Sequence, residues 1–152
     1  MARLPVVREA NRNDLPQVVG LLAQLYADPR QEDYASAAER YEAAYTEIAA
    51  DPRQTLYVME LDGRIVATAV LVVVPNLTRR GRAYGIIENV VTDASARGNG
   101  YGETLLRRIA DDARERGCHK VALMSRNERT EAHRFYRRLG FEPAHVGFRL
   151  DL

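Results

Sequence analysis

The chain has 152 residues, 28% charged and 46% hydrophobic, which suits one compact domain over 1–152 and is too short for two large ones. Its net charge is +1, yet 21 of its 22 basic residues are Arg and only Lys120 is Lys, so there is no Gly-Lys-Ser/Thr phosphate loop and only one lysine for a Schiff base. No apolar run is long enough to span a membrane, the single Cys118 excludes an intramolecular disulfide or a multi-Cys zinc site, and His119, His133 and His145 lack metal-ligand spacing, so no metal is expected.

Met1 to Val7 lacks the long apolar region of a signal peptide, and the expected compartment is the cytoplasm. Leu4 to Arg8 reads as a short first strand. Asn13 is positioned to cap a helix with Pro16 in its first turn. Leu15, Val18, Val19, Leu22, Leu25 and Tyr26 then follow helical spacing until Asp28-Pro29. A second helix is expected from Ala37 to Ala50, with Tyr41, Ala44, Tyr45 and Ile48 on one face.

Thr55 to Leu61 and Arg64 to Val74 read as two strands joined at Asp62-Gly63, a strong hairpin signal. Asn76 to Arg82 carries three arginines and reads as a solvated tip. Tyr84 to Thr92 is a further strand, interrupted chemically by Glu88 and Asn89. Next comes a glycine-rich turn, Arg97 to Gly102, opening a helix whose apolar face is Leu105, Leu106, Ile109, Ala110 and Ala113 and which Gly117 follows. His119 to Met124 reads as a strand, Thr130 to Leu139 as a helix and Phe141 to Leu150 as a last strand. The order β-α-α-β-β-β-α-β-α-β defines an α/β domain with a mostly antiparallel front and one strand–helix–strand unit.

The turn Arg97-Gly98-Asn99-Gly100-Tyr101-Gly102 is the most informative segment. A helix start has unpaired N–H groups and a partial positive charge, and glycines let backbone approach a ligand closely. Together they form a cradle for a pyrophosphate, to which Thr104 can add a hydroxyl and Arg97 a charge. The spacing is GxGxG rather than the dinucleotide GxGxxG, and no acidic residue follows about 20 positions on.

The segment Glu88 to Asp93, followed by Arg97 to Gly102, resembles the acetyl-CoA motif of the GNAT (GCN5-related) N-acetyltransferases. Ala132-His133-Arg134-Phe135-Tyr136-Arg137-Arg138-Leu139-Gly140-Phe141 is similar to the same family's Ala-x-x-Phe-Tyr-x-x-Leu-Gly-Phe signature, and the Asp62-Gly63 hairpin falls where the family has one. The resemblance covers nearly the whole chain. It implies the acyl-CoA N-acyltransferase fold: a mostly antiparallel sheet splayed between its fourth and fifth strands, with about four flanking helices.

The resemblance also implies roles. Val90, Val91 and Thr92 would pair with the pantetheine arm of acetyl-CoA, and an N–H in this stretch would polarise the thioester carbonyl. The pyrophosphate would sit on Gly98, Asn99, Gly100, Tyr101 and Gly102, with Glu103 and Thr104 completing the helix start. Glu88 would deprotonate the incoming amine through water; by alternation it shares a face with Ile86 and Val90, while Asn89 lies opposite and would orient water or substrate. Tyr136 matches the family's proton donor to the departing thiolate, as a phenol of pKa about 10 can protonate a thiolate whose conjugate acid lies near 8.5. The family's usual Asn three residues before the last motif is Arg129 here, which would serve the phosphates or a substrate carboxylate, with Asn127 two residues earlier. His133 falls on the cofactor side of its helix, and Tyr26 among the acceptor contacts.

The acceptor that the resemblance implies is a primary amine on a small molecule: an amino sugar, aminoglycoside, polyamine or amino acid. A protein N-terminus or lysine, and a non-catalytic acyl-CoA-binding module, remain as alternatives. Residues 1–76 hold 7 basic and 11 acidic groups, and residues 77–152 hold 15 and 10; the positive second half suits an anionic ligand. There is no Lys tract and no aromatic-basic interleaving, so nucleic acid is not an expected partner; a homodimer is one that the family suggests.

Overall fold

A computed structural model describes residues 4–152, so Met1 to Arg3 of the N-terminal reading lie outside the described residues. Two compact units divide the chain, Met1–Ala122 and Leu123–Leu152.

The first unit is a five-stranded sheet in the order β1 (Val6–Glu9), β2 (Gln54–Leu61), β3 (Arg64–Val74), β4 (Tyr84–Thr92) and β5 (Val121–Ala122). The first four strands are antiparallel, and β5 runs parallel to β4. Asp62 and Gly63 both take positive φ, 51° and 79°, the geometry of a two-residue hairpin that follows the twist of its strands. β5 is shorter than the strand expected over His119 to Met124. Its ladder is only Gly85↔Val121 and Ile86↔Ala122, and a kink in β4 follows three residues later.

Each face of the sheet takes a helix. Tyr57, Ala69, Leu71 and Ile87 are buried on the face that carries α4 (Tyr101–Glu115), which presents Leu105, Leu106, Ile109 and Ala113. The Tyr57 hydroxyl crosses to donate to Asp112 on α4 at 2.8 Å, and burial with this carboxylate pushes the phenol up to about 12. On the other face Val58, Ile65 and Val91 form a core cluster with Val18 and Leu21 of α1 (Leu15–Leu22).

The chain enters α1 through a capping box that alternation did not reveal. Asn11, not Asn13, is the cap: its side chain accepts from the Asn13 N–H at 2.9 Å, and the Asp14 carboxylate accepts from the Asn11 N–H at 2.7 Å. The Asn11-x-x-Asp14 spacing is that of a reciprocal box, whereas Asn13 already lies inside the first turn. Asp14 also receives Arg8 from β1 at 2.7 Å, and Arg8 reaches Glu60 on β2 at 2.8 Å. α2 (Tyr34–Ala50) begins three residues before its expected start and breaks at Ala37 (φ −141°). A four-residue helical turn, α3 (Thr78–Gly81), interrupts the arginine-rich tip between β3 and β4.

The second unit holds α5 (Thr130–Arg138). Its end explains the Tyr-x-x-x-Gly-Phe spacing. Gly140 takes φ 96°, its N–H donates to the Arg137 carbonyl, the Phe141 N–H donates to the Tyr136 carbonyl at 3.0 Å, and the two rings meet edge-on at 5.8 Å. That is a Schellman termination with its hydrophobic contact. The expected last strand, Phe141 to Leu150, does not form: residues 139–152 carry no regular structure after α5. Alternation alone makes no strand without a neighbour to take its backbone hydrogen bonds.

Candidate active site

β4 carries the first part of the site. Its register to β3 runs Val70↔Glu88 and then Thr68↔Val91, so Asn89 and Val90 stand against the single residue Ala69. This is a β-bulge, and Asn89 adopts φ 54° to make it; Asn is among the few residues that tolerate this region without being glycine. The bulge changes which side chains share a face. Glu88 lies with Ile86, as alternation predicts, but its next neighbour on that face is Val91 rather than Val90, because the extra residue shifts the phase. Asn89 is exposed on the bulge rather than at an ordinary position on the opposite face. Glu88 is half-buried, and its side chain has no hydrogen bond or ion pair among the described residues. The β4–β5 ladder has already ended at Ile86.

The loop after β4 is anchored at several points. Asp93 caps a short turn at Ala94–Ala96 and pairs with Arg64 at 2.8 Å; Arg64 and the Ser95 N–H hold its carboxyl below the usual carboxylate range. The Ala94 N–H donates to Gln24 at 2.9 Å. Arg97 Nε donates to the Thr92 carbonyl at 3.2 Å, and Asn99 Nδ2 to the Ala96 carbonyl at 3.0 Å. Only small polar residues at turn positions hint at these ties in the sequence.

The glycine turn then opens α4. Gly98 and Gly100 take φ 81° and 76°, and Gly100 is the helix cap with no side chain bonding the first turn. The first-turn N–H groups of this 15-residue helix therefore lack a side-chain cap, and a Cβ built at Gly98 or Gly100 would meet nothing within 4 Å. This open cradle fits a pyrophosphate. Two side chains at the helix start are otherwise engaged. The Thr104 hydroxyl donates to the Gly100 carbonyl at 3.1 Å, and Glu103 pairs with Arg107 at 2.7 Å.

In the second unit, Tyr136 is buried beside Phe135 and Phe141. Burial raises its phenol above the ordinary value, with Arg129 pulling in the opposite direction. Arg129 is the residue before α5 and its carbonyl accepts the His133 N–H; both side chains are half-buried. Ser125 Oγ is buried with no partner. Tyr26 is half-buried just beyond α1, in the first unit.

The model of the acetyltransferase (GNAT) family matches residues 20–141, across both units. A glucosamine 6-phosphate N-acetyltransferase of Trypanosoma brucei brucei is 44% identical over 90 residues, 59% of each chain, so the chain spans little over half of that relative's length. Glucosamine 6-phosphate N-acetyltransferase 1 of Oryza sativa is 36% identical over 131 residues, covering 84% of this chain and 74% of the relative. Among solved structures, one described as a transcriptional regulator from Bacillus halodurans superposes with a TM-score of 0.93 at 34% identity, over 98% of this chain and 100% of that one. The chain belongs to the acetyltransferase (GNAT) family, and so to the N-acetyltransferases as an enzyme class.

Proposed function

We propose that the protein, acting as a single functional domain, transfers an acetyl group from acetyl-CoA to the primary amine of an amino sugar, by direct attack in a ternary complex. The observation that carries this reading is the uncapped start of α4 with Gly98 and Gly100 in left-handed backbone, following a bulged β4 that carries Glu88. The names of the Trypanosoma and rice relatives make glucosamine 6-phosphate the first acceptor to test.

In this proposal the N–H groups of Gly98 to Gly102, with the Glu103 and Thr104 backbone behind them, take the pyrophosphate, and Arg97 adds charge. Val90, Val91 and Thr92 offer backbone groups to the pantetheine arm. An N–H there, aimed at the oxygen on which charge develops, lowers the barrier. Arg129 and His133 serve the cofactor's phosphates, and Tyr26 and Asn89 contact the acceptor. The amine arrives protonated; Glu88 takes that proton through water, and the free amine attacks the thioester carbon. Collapse breaks the carbon–sulfur bond, Tyr136 donates its proton to the leaving thiolate, and the attacking nitrogen gives up its second proton, through solvent, to the phenolate so formed, which leaves a neutral amide and a neutral phenol. A phenol of ordinary pKa about 10 is protonated at neutral pH, as a donor requires, and burial raises this one further. A homodimer belongs to the same proposal: Val146, Phe148 and Leu150 alternate and are 79%, 92% and 84% exposed, an apolar strip of the kind that a second copy covers.

Release of CoA thiol against a panel of amines tests the activity. Turnover of amino sugars above polyamines and peptides supports it. Acetyl-CoA binding without turnover of any amine would instead favour a non-catalytic acyl-CoA-binding module.

A further inference from the structure

The arginine-rich tip of the first unit has a feature that neither the glycine turn nor Glu88 absorbs. Arg79, Arg80 and Arg82 from the β3–β4 connection, with His119 and Lys120 at the entry to β5, line a wide-open surface cavity of ≈ 650 Å³. The cavity lies at the Tyr84 end of β4, and the glycine turn follows the Thr92 end. Nine residues of strand separate the two ends, about 26 Å at strand rise.

The charge here is uncompensated. Nine other described arginines form ion pairs with carboxylates. Arg79, Arg80, Arg82 and Lys120 have no acidic partner among the described residues, and the Lys120 ammonium instead lies 5.6 Å from the centre of the Tyr84 ring. Like charges so close repel. The backbone also holds them there: Arg79 and Arg80 take φ 53° and 60°, a conformation costly for side-chain-bearing residues and found where surroundings impose it. His119 is held neutral more readily than an ordinary imidazole, first by desolvation and then by Lys120, Arg79 and Arg82.

We propose that the cavity lined by Arg79, Arg80, Arg82, His119 and Lys120 is a second anion site, built for a phosphate group carrying two or more negative charges. Guanidinium forks bind phosphate oxygens in pairs, and a dianion offsets half the charge of the four cations and so relieves their repulsion. The site stands apart from the pyrophosphate cradle at α4 and does not depend on the activity proposed above. Its occupant is either the phosphate of a phosphorylated acceptor or that of a separate phosphorylated metabolite.

Inorganic pyrophosphate is the probe, and the His119 imidazole is the reporter, followed by NMR across a pH series and assigned with His119→Gln. The expected result is a saturable shift of the His119 signals and a rise in its pKa on binding. Arg79→Gln/Arg80→Gln weakens that binding at least tenfold, while Arg40→Gln, an exposed charge on α2, leaves it unchanged. No saturable shift, or equal weakening by both variants, overturns the proposal. In turnover assays, a KM that rises in the double variant for a phosphorylated amino sugar, but not for its unphosphorylated form, identifies the acceptor's phosphate as the occupant. An unchanged KM beside lost pyrophosphate binding identifies a separate ligand.

Discussion

Glu88 and Tyr136 carry the chemistry proposed here, and their surroundings set what each substitution reads. Glu88 has no side-chain hydrogen bond or ion pair among the described residues, so Glu88→Gln leaves stability nearly unchanged and lowers kcat about 10²-fold or more, with little effect on the KM for acetyl-CoA. Tyr136→Phe keeps the ring contacts with Phe135 and Phe141 and also lowers kcat. Its unfolding midpoint, measured beside the rate, separates lost proton transfer from lost packing. Asp14 illustrates the opposite kind of residue, structural and remote. Its carboxyl is held below the usual range chiefly by the Arg8 hydrogen bond. A depressed folded value means the stabilisation is complete above the unfolded pKa of about 3.9 and is lost as pH falls through the folded value. Asp14→Asn therefore costs about 2 kcal/mol at pH 7, and in urea titrations at several pH values the gap from the parent protein narrows below about pH 4. Glu88 stands out in the sequence as a carboxylate between apolar strand residues, and its half-buried place on β4 was legible from that. The Arg8–Asp14–Glu60 tie was not, because Arg8 and Glu60 lie 52 positions apart and only the β1–β2 register brings them together.

At the scale of elements, the glycines separate into two kinds. Gly100 needs its left-handed backbone at the start of α4 and has open space around it, so Gly100→Ala is strained rather than crowded. It costs about 1 kcal/mol and raises the KM for acetyl-CoA more than it changes kcat. Gly85 has ordinary φ but no room: a Cβ there would lie 2.9 Å from Leu71 and 3.0 Å from Val121. Gly85→Ala drives its methyl into the Leu71 side chain on β3 and Val121 on β5 and lowers stability by about 1–3 kcal/mol, read from denaturant melts. The sequence marked the first kind clearly, since three glycines before an amphipathic helix form a local pattern. It gave no sign of the second, since a close approach between strands is a tertiary fact. The β4 bulge falls between these cases. Asn89 is the residue type that permits it, but strict alternation through Glu88 and Val90 hides the added residue. The final segment erred in the other direction: Val146, Phe148 and Leu150 have a strand's alternation and no strand beside them.

At the scale of the whole molecule, three groups stand out among the described arginines. Many are paired on the surface, where each ion pair adds little. Arg97 stands at the glycine turn before α4, where the pyrophosphate is proposed to bind. Arg79, Arg80 and Arg82, with no acidic partner among the described residues, stand at the far end of β4. The composition pointed to an anionic ligand in the second half of the chain, but only the fold separates the two basic places. Assembly belongs to this scale as well. Phe148→Glu puts a charge on the exposed apolar strip, and light scattering is expected to show a dimer for the parent chain and a monomer for the variant. The most direct test of the account is CoA thiol release with acetyl-CoA and glucosamine 6-phosphate, by the parent protein and by Glu88→Gln. The account predicts saturable turnover that falls about 10²-fold in the variant with the KM for acetyl-CoA preserved. Equal rates in the two proteins, or no thiol release with this or any other amine while acetyl-CoA binds, would contradict it.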